Sequence, residues 1–122
     1  MGTPSAGAVV LVRFPFSDLS RSKLRPAVVL ADAGRGDAVL CQVTSKSYGD
    51  ERAVTIASRD LATGSLRVTS FVRPGKIFTA NEAIITAVVG NLTPDALARV
   101  LDAVVHLLRP VIPTNAPREG AP

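Results

Sequence analysis

The chain has 122 residues, of which 47% are hydrophobic, and its 14 Lys or Arg against 10 Asp or Glu give a net charge of +4. This length predicts one domain with a small core of its own. The single cysteine excludes an intramolecular disulfide framework, and no apolar run approaches the roughly 20 residues of a membrane-spanning helix. No basic residue precedes the first apolar run, which argues against a signal peptide, so we expect a cytoplasmic protein.

Basic residues are concentrated in the first two thirds of the chain. Residues 1–80 hold 11 Lys or Arg and 6 Asp or Glu, whereas residues 81–122 hold 3 and 4. This asymmetry favours a polyanionic partner such as RNA, because affinity for nucleic acid rests largely on neutralising phosphates. An ordinary solvated surface would give the same counts, so the charge distribution alone does not identify a nucleic-acid partner.

Short apolar runs separated by turn residues predict about six strands. The turn that contains Gly34 and Gly36 predicts that the second and third strands form a hairpin. Residues 1–7 are expected to be a flexible lead-in to a single domain over 8–109, with 58–64 as a loop. The predicted strands cover 8–14, 27–32, 38–44, 53–57, 66–72 and 84–89.

One helix is predicted after the last strand. Thr93 is a suitable N-cap, Pro94 fits the first helical position, and Pro110 ends the helix. Its apolar stripe consists of Leu97, Val100, Leu101, Val104 and Leu108. Residues 110–122 contain four prolines and are predicted to be disordered.

Several short strands followed by one terminal helix define the fold class. The chain is predicted to be mainly β, with a C-terminal helix. The pattern indicates a small barrel or a strongly bent antiparallel sheet.

The segment between the first two strands is the most informative part of the chain. Four cations lie within residues 13–26, namely Arg13, Arg21, Lys23 and Arg25. Loops between rigid strands often carry functional groups, and Pro26 restricts Arg25 to extended backbone conformations. A cationic and rigid rim of this kind predicts an anionic ligand.

This segment resembles the N-terminal signature of the MazF/PemK (Kid-like) toxin family. The resemblance lies in FPFSDLS at residues 14–20 and KLRPAVVL at 23–30. QVTSK at 42–46 is similar to the family's second motif, and looser similarity continues through SFVR at 70–73, KIF at 76–78 and the C-terminal helix. About 100 of the 122 residues are covered.

The resemblance implies an SH3-like barrel that forms a homodimer. It also implies the toxin of a type II toxin–antitoxin system, which cleaves single-stranded RNA as a ribosome-independent, metal-independent and sequence-selective endoribonuclease. Such an enzyme needs no cofactor. Its partner would be a cognate antitoxin whose acidic, disordered segment covers the basic groove.

Arg25 and Thr44 match the two catalytic residues of the family. The residues themselves support the assignment, because the start of the second strand and the end of the third meet at one rim of a hairpin. Arg25 suits a phosphate site, since its planar guanidinium makes paired hydrogen bonds to phosphate oxygens. The alternatives are a surface salt bridge for Arg25 and a strand-end cap for Thr44.

Further site residues are predicted around this pair. Arg73 matches an arginine that contributes in PemK/Kid-type relatives, but Gly75 stands where those relatives often carry Asp, so Asp18 is considered as a substitute. Candidate RNA contacts are Ser17, Lys23, Ser45, Lys46 and Phe14. A phenylalanine beside a strand, as Phe14 is, more often fills the core or an interface.

Two other reactive residues are given structural roles. Cys41 lies within an apolar strand and is predicted to be a core residue. His106, the only histidine, falls on the polar helix face, so a mechanism with two histidines in one subunit is excluded. Two rival functions stay open: a non-catalytic toxin of the same barrel class that poisons gyrase, and a plain RNA-binding module.

Overall fold

The computed structural model describes residues 2–15 and 22–109, with Phe14, Pro15 and Ser22 described by their backbones alone. Ser17, Asp18 and residues 110–122 lie outside the described residues, so the predicted domain division stays a prediction. The strands are β1 Ala8–Pro15, β2 Ser22–Gly34, β3 Asp37–Thr44, β4 Val54–Ile56, β5 Leu61–Gly64, β6 Ser70–Asn81 and β7 Ile85–Leu92. The helix α1 is Pro94–Leu108, and 3-10 turns occupy Ser58–Asp60 and Glu82–Ile84.

Within the described ranges, seven strands form one curled antiparallel sheet in the order β4-β6-β3-β2-β1-β7-β5. The predicted class, mainly β with a C-terminal helix, is confirmed, as is the β2–β3 hairpin. Its turn has positive φ at Gly34, Arg35 and Gly36, the backbone region that glycine enters without penalty.

The side chains of a strand alternate between the two faces of the sheet, and in the central strands both faces are buried. Val9, Val28 and Cys41 belong to the core that α1 covers with Ala96 and Val100. Intervening residues form a second core on the other face, among them Val10, Val12, Ala27, Val29 and Leu40. The apolar runs of β1, β2 and β3 are therefore explained by burial on two sides.

The prediction of about six strands missed β5. Residues 58–64 were expected to be a loop, yet Leu61–Gly64 pairs with β7. This pairing requires two glycines to meet, because a Cβ on Gly64 would lie 2.1 Å from the carbonyl oxygen of Val89. Gly64 looked like a loop residue in the sequence, but it permits close approach of two backbones.

Strand β6 differs from its predicted bounds of 66–72. It begins at Ser70 and continues through Pro74 and Gly75 to Asn81. Opposite β3, the register passes from Val43↔Val72 to Cys41↔Ile77, so the Pro-Gly pair lies in a bulge. A proline costs no ladder hydrogen bond there.

Helix α1 begins as predicted. The Thr93 hydroxyl accepts a hydrogen bond from the Ala96 N–H at 3.1 Å, and Pro94 occupies the first turn. Val100 and Val104 are buried, but Leu108 is 69% exposed. The predicted stripe therefore packs against the core through Val100 and Val104, whereas its last residue does not. No helix in the described part of the chain is long and apolar enough to cross a membrane.

Candidate functional site

The β2–β3 hairpin brings Arg25 and Thr44 together. The register of the two strands reaches Ala27↔Gln42, and two further residues in the same register set Arg25 opposite Thr44. Pro26 has no N–H to donate, which accounts for the end of regular pairing at this point. The other side of Arg25 pairs with Val12 of β1, so its backbone is fixed between two neighbours.

These two residues line a groove of about 530 Å³, which we call the first groove. Five predicted site residues line it together: Lys23, Arg25, Thr44, Ser45 and Lys46. Among the described residues, three cations and no Asp or Glu line the first groove. Its local charge therefore favours an anion.

Thr44 caps the end of a strand, which is one of the two roles considered for it. Its side chain is buried, and its Oγ1 accepts a hydrogen bond from the Lys46 N–H at 3.2 Å. This contact caps the end of β3 and holds the hydroxyl oxygen in place. Accepting one bond leaves the hydroxyl hydrogen available as a donor, so Thr44 can cap the strand and also contact a ligand oxygen.

Arg73 does not line the first groove. It projects from the β6 bulge into a second groove of about 770 Å³, whose lining includes Asp50, Arg52, Lys76 and His106. The Arg73 Nε donates to Asp50 Oδ2 at 3.0 Å. This hydrogen bond is the main reason why the pKa of Asp50 is lowered, and the Arg52 N–H adds to it.

The acidic partner of Arg73 is therefore Asp50, which lies in a different segment of the chain from Gly75. Asp50 lies 23 residues earlier, in the loop after β3, and sequence reasoning did not single it out. No local pattern joins the two residues, since only the bulge of β6 brings them into contact. The nearest signal was the position of Asp50, just after Ser45 and Lys46.

Tyr48 is another residue of the site that sequence reasoning missed. It lines the first groove, and its ring centroid lies 5.4 Å from Cζ of Arg73 in the second groove. The exposed apolar side chains of Leu24 and Val68 line the same groove. The first groove therefore offers an aromatic ring and apolar surface beside its cations.

The remaining predicted residues fall elsewhere. Ser17 and Asp18 lie outside the described residues. The backbone of Phe14 pairs with Lys23 at the β1–β2 rim, and Lys23 is exposed there. His106 is exposed on α1 and borders the second groove.

Cys41 is a core residue, as predicted. Its side chain is fully buried, and its Sγ–H donates to the Arg73 carbonyl oxygen at 2.8 Å. Burial, with a smaller contribution from the charge of Asp50, raises the pKa of this thiol to about 12. A thiol with such a pKa is a poor nucleophile. Within the described ranges, no three His, Cys, Asp or Glu side chains are grouped to hold a metal ion.

The sequence and the fold both match known proteins. Residues 5–108 match the family described as PemK-like, MazF-like toxin of type II toxin–antitoxin system. A crystal structure of MazE–MazF from Deinococcus radiodurans has 25% sequence identity and a TM-score of 0.70, covering 87% of this chain and 96% of that chain.

A second similar structure is an endoribonuclease in complex with its cognate antitoxin from Mycobacterial species. It has 18% identity and a TM-score of 0.68, and the match covers 93% of this chain and 100% of that chain. At this identity the likeness concerns the fold. Comparison with curated proteins gives no match.

Proposed function

The chain belongs to the family of PemK-like, MazF-like toxins of type II toxin–antitoxin systems, and we propose that it is a metal-independent endoribonuclease that cuts single-stranded RNA. The observation that carries the proposal is the first groove, where Arg25 and Thr44 meet among cations and without a carboxylate in the described part of its lining. One similar protein is itself named an endoribonuclease.

RNA supplies the nucleophile for this reaction. The 2′-oxygen bonds to phosphorus while the bond from phosphorus to the 5′-oxygen breaks, which yields a 2′,3′-cyclic phosphate and a 5′-hydroxyl. One proton leaves the 2′-hydroxyl and one reaches the 5′-oxygen. The protein must stabilise the charge that develops on the phosphorane oxygens and assist the two proton transfers.

Arg25 is assigned to the phosphorane. Its planar guanidinium can donate two parallel hydrogen bonds to phosphate oxygens. Thr44 donates its hydroxyl hydrogen to the same phosphate, held in place by the Lys46 N–H. Lys23, Ser45 and Lys46 bind neighbouring phosphates along the first groove.

Proton transfer needs a side chain that can accept or donate a proton. Asp18 is our candidate for this role, since the Asp50 carboxylate is already paired with Arg73. We expect Asp18→Asn to reduce cleavage without weakening RNA binding, and Ser17 and Phe14 to contribute to RNA binding alone. Unreduced cleavage by Asp18→Asn would remove it from the mechanism.

The partners follow from the same groove. We propose that a cognate antitoxin covers the first groove with an acidic segment, that the toxin is a homodimer, and that it acts in the cytoplasm. Similar proteins are known as complexes of MazE with MazF and of an endoribonuclease with its cognate antitoxin.

The deciding experiment is incubation of the purified protein with a long single-stranded RNA in the presence of EDTA, followed by mapping of the ends. We expect cuts at a short recurring sequence, with cyclic phosphate and 5′-hydroxyl ends. RNA binding without cleavage would favour a binding module. Inhibition of gyrase without cleavage would favour the non-catalytic toxin.

A further inference from the structure

Tyr48 stands between the two grooves. It is 65% exposed and lines the first groove beside Thr44 and Lys46. Its ring also contacts Arg73, which lines the second groove. A large aromatic side chain that lies open to solvent beside a cationic groove has a surface available for a ligand with a flat apolar face.

The backbone of Tyr48 is held in an uncommon conformation. Its φ is 55°, that of Gly49 is 70°, and the Asp50 N–H donates to the Ser47 carbonyl oxygen at 2.9 Å. Positive φ at both central residues is the pattern of a type I′ turn, which glycine, asparagine and aspartate adopt readily and tyrosine rarely. Such strain persists where the surroundings hold it in place, often at functional sites.

Arg73 and Asp50 hold the ring. The Arg73 Cζ lies over the ring at 5.4 Å, within the range of a cation–π contact. The Nε of the same guanidinium is bound to Asp50, two residues after Tyr48. The turn and the bulge of β6 are thus linked through one side chain, and one face of the ring is covered by a cation.

We propose that Tyr48 is a stacking platform for a nucleobase next to the phosphate bound by Arg25 and Thr44, with Arg73 and Asp50 as positioning residues. This inference rests on the proposed function, because it takes single-stranded RNA as the ligand of the first groove. The cations bind the backbone, and unpaired bases then stack on aromatic rings. Since Arg73 covers one ring face, the base takes the other.

The first test combines a variant with modified substrates. A short RNA spanning the mapped cleavage site is made with one abasic residue at each position in turn. We expect one abasic position to lower kcat/KM of the wild type by about 10- to 100-fold. In Tyr48→Ala the intact RNA should show the same loss, and the abasic residue no further loss. Tyr48→Phe keeps the ring and serves as the matched control.

The second test does not depend on cleavage. Tyr48 is the only tyrosine and the chain has no tryptophan, so tyrosine emission reports this ring alone. In Arg25→Ala, we expect the intact RNA to quench the emission as it binds. Adding Arg73→Ala should reduce the quenching at saturation, and Arg73→Lys should restore part of it, because an ammonium also contacts a ring face.

The outcomes separate this inference from the proposed function. Two results together would overturn the stacking role while the nuclease stands. One is a wild-type kcat/KM in Tyr48→Ala, and the other is unchanged tyrosine emission from Arg25→Ala when labelled RNA is shown to be bound. Quenching by RNA in Arg25→Ala, with no cleavage of the same RNA by the wild type, would support Tyr48 as a base contact and refute the nuclease. Full quenching in the Arg73→Ala background would remove Arg73 from the positioning role.

Discussion

Arg99 of α1 places its Nη2 2.6 Å from Oδ1 of Asp60, the last residue of the 3-10 turn before β5. Asp60 is buried, and its second carboxylate oxygen accepts from the Ala57 N–H at 2.9 Å. The Asp60 carbonyl also accepts from the Thr93 N–H at 2.8 Å. One residue therefore joins the start of the helix to the edge of the sheet.

Asp60→Asn should lower the free energy of unfolding by about 1–3 kcal/mol at neutral pH, because a buried hydrogen-bonded charge is lost. The Ala57 N–H and then Arg99 lower the pKa of Asp60 against the opposing effect of its burial. A lowered folded-state pKa means that its contribution is present above the ordinary value of about 3.9 and is lost as pH falls through the folded value.

Urea unfolding at a series of pH values checks this prediction. The difference between wild type and Asp60→Asn should shrink as pH falls below about 4. Asp102→Asn, on the exposed face of α1, is the control and should stay within about 0.5 kcal/mol of wild type. A difference that persists unchanged in acid would contradict the assignment to the carboxylate charge.

Arg25→Ala should reduce RNA cleavage by about 10²–10³-fold, by analogy with removal of one oxyanion-hole donor. Arg25→Lys should recover only part of the rate, because an ammonium cannot reproduce the guanidinium fork. The measurement is single-turnover cleavage of the mapped RNA, with circular dichroism to verify folding.

Arg35→Asn is the matched control for Arg25. It also removes one cation, but at the turn of the same hairpin, and asparagine tolerates the φ of 58° found there. This variant should cleave at nearly the wild-type rate. If both variants lost activity equally, the effect would be one of total charge, and the assigned role of Arg25 would be wrong.

Thr44→Val keeps the shape of the side chain and removes its hydroxyl. It should lower cleavage less than Arg25→Ala, because one neutral donor is lost in place of a charged pair of donors. Thr44→Ser retains both the donor and the bond from the Lys46 N–H, so it should keep most of the rate. Equal rates for Val and Ser variants would assign Thr44 to packing alone.

A homodimer should be observed by light scattering, with twice the chain mass of 12.7 kDa at micromolar concentration. Small domains bury little surface alone, and this one exposes Val88 on β7 and Val105 and Leu108 on α1. Leu108→Asp should weaken the dimer if the helix takes part. An intact dimer in that variant would assign the interface to the barrel edge, and a monomeric wild type would refute the dimer.

Much of the architecture could be predicted because local chemistry and tertiary packing agree. Thr93 and Pro94 mark the start of α1 by capping preferences alone, and the glycines around Arg35 mark a hairpin turn. Strand β5 escaped prediction because four residues carry little periodicity. The continuation of β6 past Pro74 depends on the register of β3, which no local window of sequence contains.

In the candidate site too, the residues held by regular strands could be predicted and those held by irregular segments could not. Arg25 and Thr44 could be paired in advance, since a hairpin dictates which strand ends meet. Tyr48 and Asp50 could not, because their contacts with Arg73 depend on a tight turn meeting a bulge 23 residues further along the chain. Side chains placed by two irregular segments leave no periodic signal.

Helix α1 is attached unevenly along its length. Its first half carries the Thr93 cap, the Asp60–Arg99 pair and the bond from Arg99 Nη1 to the Thr55 carbonyl oxygen at 3.2 Å. Beyond Val104, the side chains of Val105 and Leu108 are exposed. Opening should therefore begin at the C-terminal turn, with amide deuterium uptake fastest near Leu108 and slowest around Val100.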